Sequence, residues 1–230
     1  MSANPQSSSK GRRPSWRYRL RRPALWLNRW TVERWFDCWF GVETGQLVPL
    51  GGLTIPRGDR SLGNHYEPTR VLGLWWLFRA LRPLCPPGGA FVDLGCGKGR
   101  VLLLASGAGF NVLRGVEFAR ELCEVARRNC AIYKARRGLA CEFQVLEGDV
   151  AQFAICAEDQ VFFLFNPFGA PVLQQVLDNL SASVRAQPRR VLLVYANPVH
   201  QELVQAQSWL HKVLDQSAMG HHFVVYSNEI

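Results

Sequence analysis

From residue 90 onward, short runs of β-branched, aromatic and other apolar residues alternate with longer stretches whose apolar positions recur every three to four residues. Ala90–Leu94, Asn111–Glu117, Glu142–Leu146, Val161–Phe165 and Val191–Ala196 read as strands, and 99–107, 119–134, 171–184 and 199–206 read as helices. Strands that alternate with helices imply parallel βαβ units, so the expected fold is α/β with a doubly wound, mostly parallel sheet. The tail adds Ser208–Gln216 and Phe223–Ser227, two strands joined by a turn at Met219 and Gly220. Upstream, Val71, Leu72, Trp75, Trp76, Phe78, Leu81 and Leu84 predict a largely buried helix, which the Pro/Gly cluster at 86–89 ends.

Before residue 65 the pattern changes. Residues 1–15 are rich in Ser, Pro and Arg without periodicity and read as a disordered basic tail. Residues 16–64 form an extension. In its first part five tryptophans (16, 26, 30, 35 and 39) are interleaved with arginines, and helical spacing follows Pro23. Its second part, 41–64, reads as loop with a hairpin around Leu47–Ile55. Residues 65–230 form the main domain. The Arg/Trp segment has three readings: a helix that docks its aromatics on the body, a contact for nucleic-acid phosphate or anionic membrane over residues 10–35, or an acid-free transit peptide.

Charge sharpens this division. The net charge is +9, yet residues 1–35 hold nine Lys/Arg and one acid, Glu33, while the remaining 195 residues hold 18 Lys/Arg and 17 acids. The basic pI therefore reports the arm and says nothing of nucleic-acid binding by the body. Hydrophobic residues at 48% and charged residues at 20% fit a globular chain. No apolar run approaches the roughly 20 residues of a membrane span. Seven cysteines without a CxxC read as reduced, mostly buried thiols of a cytoplasmic protein, and the five histidines show no ligand spacing, so no metal is expected.

The candidate chemistry starts at Asp93-Leu94-Gly95-Cys96-Gly97-Lys98-Gly99-Arg100, at the end of the first strand and the start of a helix. Glycines at 95, 97 and 99 let backbone approach a ligand closely, and a strand's C-terminal end is where open α/β sheets bind nucleotides. The dinucleotide spacing GxGxxG is not met, because Arg100 stands where the third glycine belongs, and the Gly-x4-Gly-Lys-Ser/Thr pattern of a P-loop is absent. Glu117 ends the second strand 24 residues after Asp93. A carboxylate there can accept from two vicinal hydroxyls.

This order of motifs resembles the class I, seven-strand S-adenosylmethionine-dependent methyltransferases. The resemblance covers about residues 66–230. It implies S-adenosyl-L-methionine as cofactor, with Gly95, Cys96, Gly97 and Gly99 around it. It implies that Asp93 orders the loop or binds the amino group, that Glu117 binds ribose, and that Asp149 lies at adenine (a helix cap is the plain alternative for Asp149). Tyr66-Glu67-Pro68-Thr69 resembles a Tyr-x-Pro-Ser/Thr segment of non-SET lysine methyltransferases. On that likeness Tyr66 and Thr69 contact the methionine end. Asn166, Pro167 and Phe168, after the fourth strand, sit where the family's catalytic motif lies. They are similar to the Asn-Pro-Pro-aromatic motif of amino-directed enzymes but lack its second proline. An Asn oxygen and a Pro carbonyl can accept an amine's hydrogens and aim its lone pair. The same two residues also suit an ordinary turn.

The expected function is methyl transfer, to nitrogen before oxygen, with a protein lysine or other amine as acceptor. Two other classes compete: a non-catalytic module that keeps the cofactor pocket and uses its Arg/Trp arm on RNA or membrane, and a nicotinamide oxidoreductase, which Arg100 and the glycine spacing disfavour. No GxSxG, Cys/His pair or metal set suggests hydrolysis.

Overall fold

The computed structural model describes residues 31–56, 63, 65–85, 88–165 and 168–229. The tail expected over 1–15, the segment 16–30 with Trp16, Trp26 and Trp30, and the Asn166-Pro167 pair lie outside them.

Seven strands form one sheet: β1 (Ala90–Leu94), β2 (Val112–Glu117), β3 (Glu142–Glu147), β4 (Asp159–Leu164), β5 (Leu192–Ala196), β6 (His211–Ala218) and β7 (His221–Ser227). Their order is β3-β2-β1-β4-β5-β7-β6. The first five are parallel, and β7 runs antiparallel between β5 and β6. The chain moves outward from β1 through β2 to β3, then returns to pair β4 with the other edge of β1. The strand order therefore reverses at β1, and the C-terminal end of β1 is the topological switch point where ligands bind in open α/β sheets. The doubly wound α/β expectation matches this architecture.

Six helices accompany the sheet among the described residues: α1 over 31–40, α2 (Val71–Leu81), α3 (Arg100–Ala105), α4 (Arg120–Arg137), α5 (Ala170–Ala186) and α6 (Gln201–Gln205). Period-two alternation sends β4 side chains to both faces. Val161 and Phe163 join the core under α1–α4, while Phe162 and Leu164 join the core under α5 and α6. Every residue of β1 and β5 is buried, as two-sided packing requires. Gly138, at φ +60, caps α4 after the basic last turn of Lys134, Arg136 and Arg137.

Several expectations change. No hairpin forms around Leu47–Ile55; a 3-10 turn spans Leu50–Gly52, and single bridges tie Val48 to Tyr66 and Gly63 to Phe168. β6 starts three residues late because Leu210 N–H closes a turn onto the Gln207 carbonyl. The thiols are less buried than expected: all seven are free, but only Cys96, Cys123 and Cys130 are buried, and Cys38 and Cys156 are exposed. α1 does dock on the body, but through Phe36 and Phe40 against Tyr133, not through its tryptophans.

Candidate functional site

The turn after β1 is held down by its neighbour strand. Gly95 and Cys96 both donate their N–H to the Val116 carbonyl, at 2.9 and 3.0 Å. Gly97 has φ +51, and a Cβ there would lie 2.2 Å from the Tyr66 ring, so both conformation and space require glycine. Gly99, at φ +83, caps α3.

Two carboxylates stand at the ends of β1 and β2. Glu117 is buried; Oε2 accepts from Gly97 N–H at 2.9 Å and Oε1 from Ala119 N–H at 3.0 Å. Burial raises its pKa against these backbone donors. Each oxygen keeps a further lone pair for a hydroxyl. Asp93 is 2% exposed, and its Oδ2 has no hydrogen-bond partner among the described residues. Burial, and then the Glu117 charge, push its pKa well above the usual carboxylate range. A buried polar atom left without a partner is uncommon and calls for an explanation.

Both carboxylates line one cavity of about 420 Å³, a volume in the range of small-molecule and cofactor sites. Of the residues singled out from the sequence, Tyr66, Thr69, Asp93, Gly95, Cys96, Glu117, Asp149 and Phe168 line it. Gly97 and Gly99 do not; they shape the loop from behind. Asp149 both lines the cavity and caps a 3-10 turn, its Oδ1 accepting from Ala151 N–H at 2.9 Å. Tyr66 is tied by its hydroxyl to the Thr44 carbonyl at 2.8 Å, and burial raises its pKa. The Cys96 thiol is pushed well up by burial and nearby acids, so it is no thiolate nucleophile. Leu53, Phe118, Leu122 and Val150 add an apolar wall that sequence patterning did not single out.

Arg100 was also missed as a site residue. It is 2% exposed and lines the cavity. It is held by Glu33, by Thr44 Oγ1 at 2.7 Å and by the Thr69 carbonyl at 3.1 Å, with Asp37 at 3.6 Å. Glu33 also accepts from Val71 N–H at 3.0 Å, while Asp37 accepts from Thr44 and Gly45. Asn129 stitches the segment to the glycine loop, donating to the carbonyls of Lys98 and Glu43. The extension is thus a wall of the site. One signal was available: Glu33 and Asp37 are the only acids before residue 43, and they are spaced i, i+4.

A second cavity, about 640 Å³, shares Glu67, Arg100 and Asn197 with the first. Among the described residues, no group of three or more His, Cys, Asp or Glu side chains is placed to hold a metal. No described helix is long and apolar enough to cross a membrane.

No protein-family model and no curated protein sequence matches the chain. Solved structures do. A candidate S-adenosylmethionine-dependent methyltransferase of Methanococcus maripaludis is similar at 11% identity with a TM-score of 0.50, over 67% of this chain and 84% of that one. A ribosomal protein L11 methylase of Lactobacillus delbrueckii subsp. bulgaricus is similar at 14% identity and a TM-score of 0.48, over 66% and 76%. The first likeness, with the strand order above, gives this chain the Rossmann-like class I methyltransferase fold. At 11% identity it defines the fold and nothing finer.

Proposed function

We propose that the chain is an S-adenosylmethionine-dependent methyltransferase acting on nitrogen, with a protein lysine or another amine as acceptor and S-adenosylhomocysteine as by-product. The observation that carries this reading is the pair of buried carboxylates, Asp93 and Glu117, facing one cavity at the switch point. The cofactor brings an ammonium group, a ribose diol and a flat adenine, and the cavity has a counterpart for each. Asp93 Oδ2 is open to an N–H donor. The free lone pairs of Glu117 suit the diol. Asp149, beside Phe118, Leu53 and Val150, suits the adenine and its amino group. Tyr66 and Thr69 fall to the methionine end, with Cys96 and the glycine loop beneath.

When bound, the sulfonium supplies an activated methyl group. The chain's own part is to place an acceptor lone pair in line, within about 3–3.5 Å of that carbon. Asn166, Pro167 and Phe168 have this role in the proposal. Phe168 closes the cavity edge, where its backbone pairs with Gly63. Exposed Trp35 and Trp39 favour one competing reading, a non-catalytic module, and turnover separates the two, because a module forms no S-adenosylhomocysteine with any acceptor.

Parallel calorimetric titrations with S-adenosylmethionine, S-adenosylhomocysteine and NADH test the reading. The two sulfur nucleosides should bind and NADH should not. Glu117→Ala and Gly97→Arg, each checked for folding by circular dichroism, should weaken binding by about tenfold or more, as loss of hydrogen bonds to a charged group does. Unchanged binding in both variants, or binding of NADH alone, overturns it.

A further inference from the structure

We infer that the outer face of α1 docks the protein on an anionic lipid surface. The inference does not depend on the cofactor reading. α1 buries Phe36 as a surface helix does, but its acids and its tryptophans are placed the other way round. Its acids face inward: Glu33 is 7% exposed and meets Arg100, and Asp37 accepts from the 44–45 backbone. Its tryptophans face outward. Trp35 and Trp39 are 56% and 63% exposed, and their rings stack on each other with centroids 5.5 Å apart. Surface helices ordinarily show water their charges and bury their aromatics.

The helix cannot turn to hide the pair. Phe36 and Phe40 are seated on Tyr133, at 6.1 and 4.7 Å between centroids, and Glu33 is committed to Arg100. The face is also positively charged. Arg34, next to Trp35 in sequence, is exposed and borders the second cavity. Arg136 donates to the Trp39 carbonyl at 2.6 Å, and the Arg137 guanidinium lies 6.0 Å from the Phe40 ring. None of these three has a carboxylate in ion-pair range among the described residues. The chain leading into α1, residues 1–30, adds eight Lys/Arg and no acid.

Paired indole rings flanked by arginines suit the headgroup region of a bilayer. Tryptophan concentrates there, and each arginine near an anionic surface strengthens binding about fivefold. A nucleic-acid strand fits less well. It needs open ring faces along a basic groove, whereas these rings cover one face of each other.

The test is sedimentation of the full chain with phosphatidylcholine vesicles, with and without phosphatidylglycerol. The protein should partition onto the anionic vesicles, and brominated lipid should quench its fluorescence. Trp35→Ala/Trp39→Ala should lower partitioning by about tenfold and remove much of the quenching. Arg136→Gln/Arg137→Gln, with both rings intact, should weaken binding and flatten its dependence on phosphatidylglycerol. Wild-type partitioning by both folded double variants overturns the inference and leaves vesicle binding to residues 1–30. Absence of vesicle binding, with single-stranded RNA bound in a Trp35- and Trp39-dependent way, overturns it in favour of nucleic acid.

Discussion

At the start of β4, Asp159 is fully buried, and its carboxylate meets the Arg114 guanidinium and the Cys156 N–H, the latter at 2.8 Å. At the far end of the neighbouring strand, Asp93 is buried almost as deeply, and its Oδ2 meets nothing among the described residues. Both acids sit in one sheet, on strands that pair with each other. The difference separates two uses of a buried charge. Asp159 is satisfied within the protein, as buried charges usually are. Asp93 is left for a partner the chain itself does not supply, at the place where the strand order reverses. Glu117 lies between these extremes, fixed by two backbone donors yet with acceptor capacity to spare.

The largest effect should come from breaking the satisfied end. Arg114 also binds Gln144 at 2.9 Å and Glu158 at 2.6 Å, so Arg114→Ala strands Asp159 and loosens β2, β3 and the approach to β4 together. Removing one partner of a buried pair costs about 3–5 kcal/mol. Urea unfolding should show that loss. Arg114 is not among the cavity residues, so the variant's affinity for S-adenosylmethionine, measured where it remains folded, should equal wild type. A loss below about 1 kcal/mol would mean the pair is no more than a surface bridge.

Glu33→Gln comes next, because it touches both categories. The side chain is buried, holds Arg100 and caps the Val71 N–H, so its neutral replacement should cost about 2 kcal/mol of stability. Arg100 in turn holds the Thr69 carbonyl and lines the cavity, so cofactor affinity should also fall. A variant that loses stability but binds with wild-type affinity would place the extension outside the site.

These two regions were not equally legible in the sequence. The sheet and the glycine loop could be read because their signals are local: period-two burial, a strand-to-helix turn, and an acid at the next strand's end. β1 lies where its short run between the Gly-Gly turn and the glycine loop puts it, to the residue. The extension could not be read that way. Five tryptophans drew attention to an apolar face, yet α1 is fixed by Glu33 and Asp37 on Arg100 and by Phe36 and Phe40 on Tyr133, partners far away in sequence. A pair that distant leaves no periodic trace, and an arginine following a glycine turn reads as a broken dinucleotide motif until the acids that neutralise it are seen. The hairpin expected at 47–55 failed for a related reason. Val48 bridges to Tyr66, and Val48, Leu53 and Ile55 pack together with Ala119 and Leu122 of the body, so the apolar residues of that stretch cluster on a distant partner and not across a hairpin.

Asp93→Asn should give the smallest change in stability and the sharpest separation of the two ends. In the cofactor-free chain the folded-state pKa of Asp93 lies above its ordinary value of 3.8. The native state therefore holds that proton more tightly than the unfolded chain does. For a carboxylate shifted this way, the contribution to stability is fully present below the ordinary value of 3.8 and is lost as pH rises from there through the raised pKa. Asparagine removes the titration and the buried charge while keeping the shape. The difference in unfolding free energy between variant and wild type should be zero or slightly in the variant's favour at pH 7.5, within about 1 kcal/mol, and should shift toward wild type at lower pH. Binding should move the other way, with affinity for S-adenosylmethionine down by about tenfold as the charge-assisted acceptor is lost. Glu117 is also raised by burial, and because its charge repels that of Asp93, Asp93→Asn removes this repulsion as well and favours the variant further at neutral pH. If Asp93→Asn instead destabilises the chain and spares binding, Asp93 belongs with Asp159 as a structural charge.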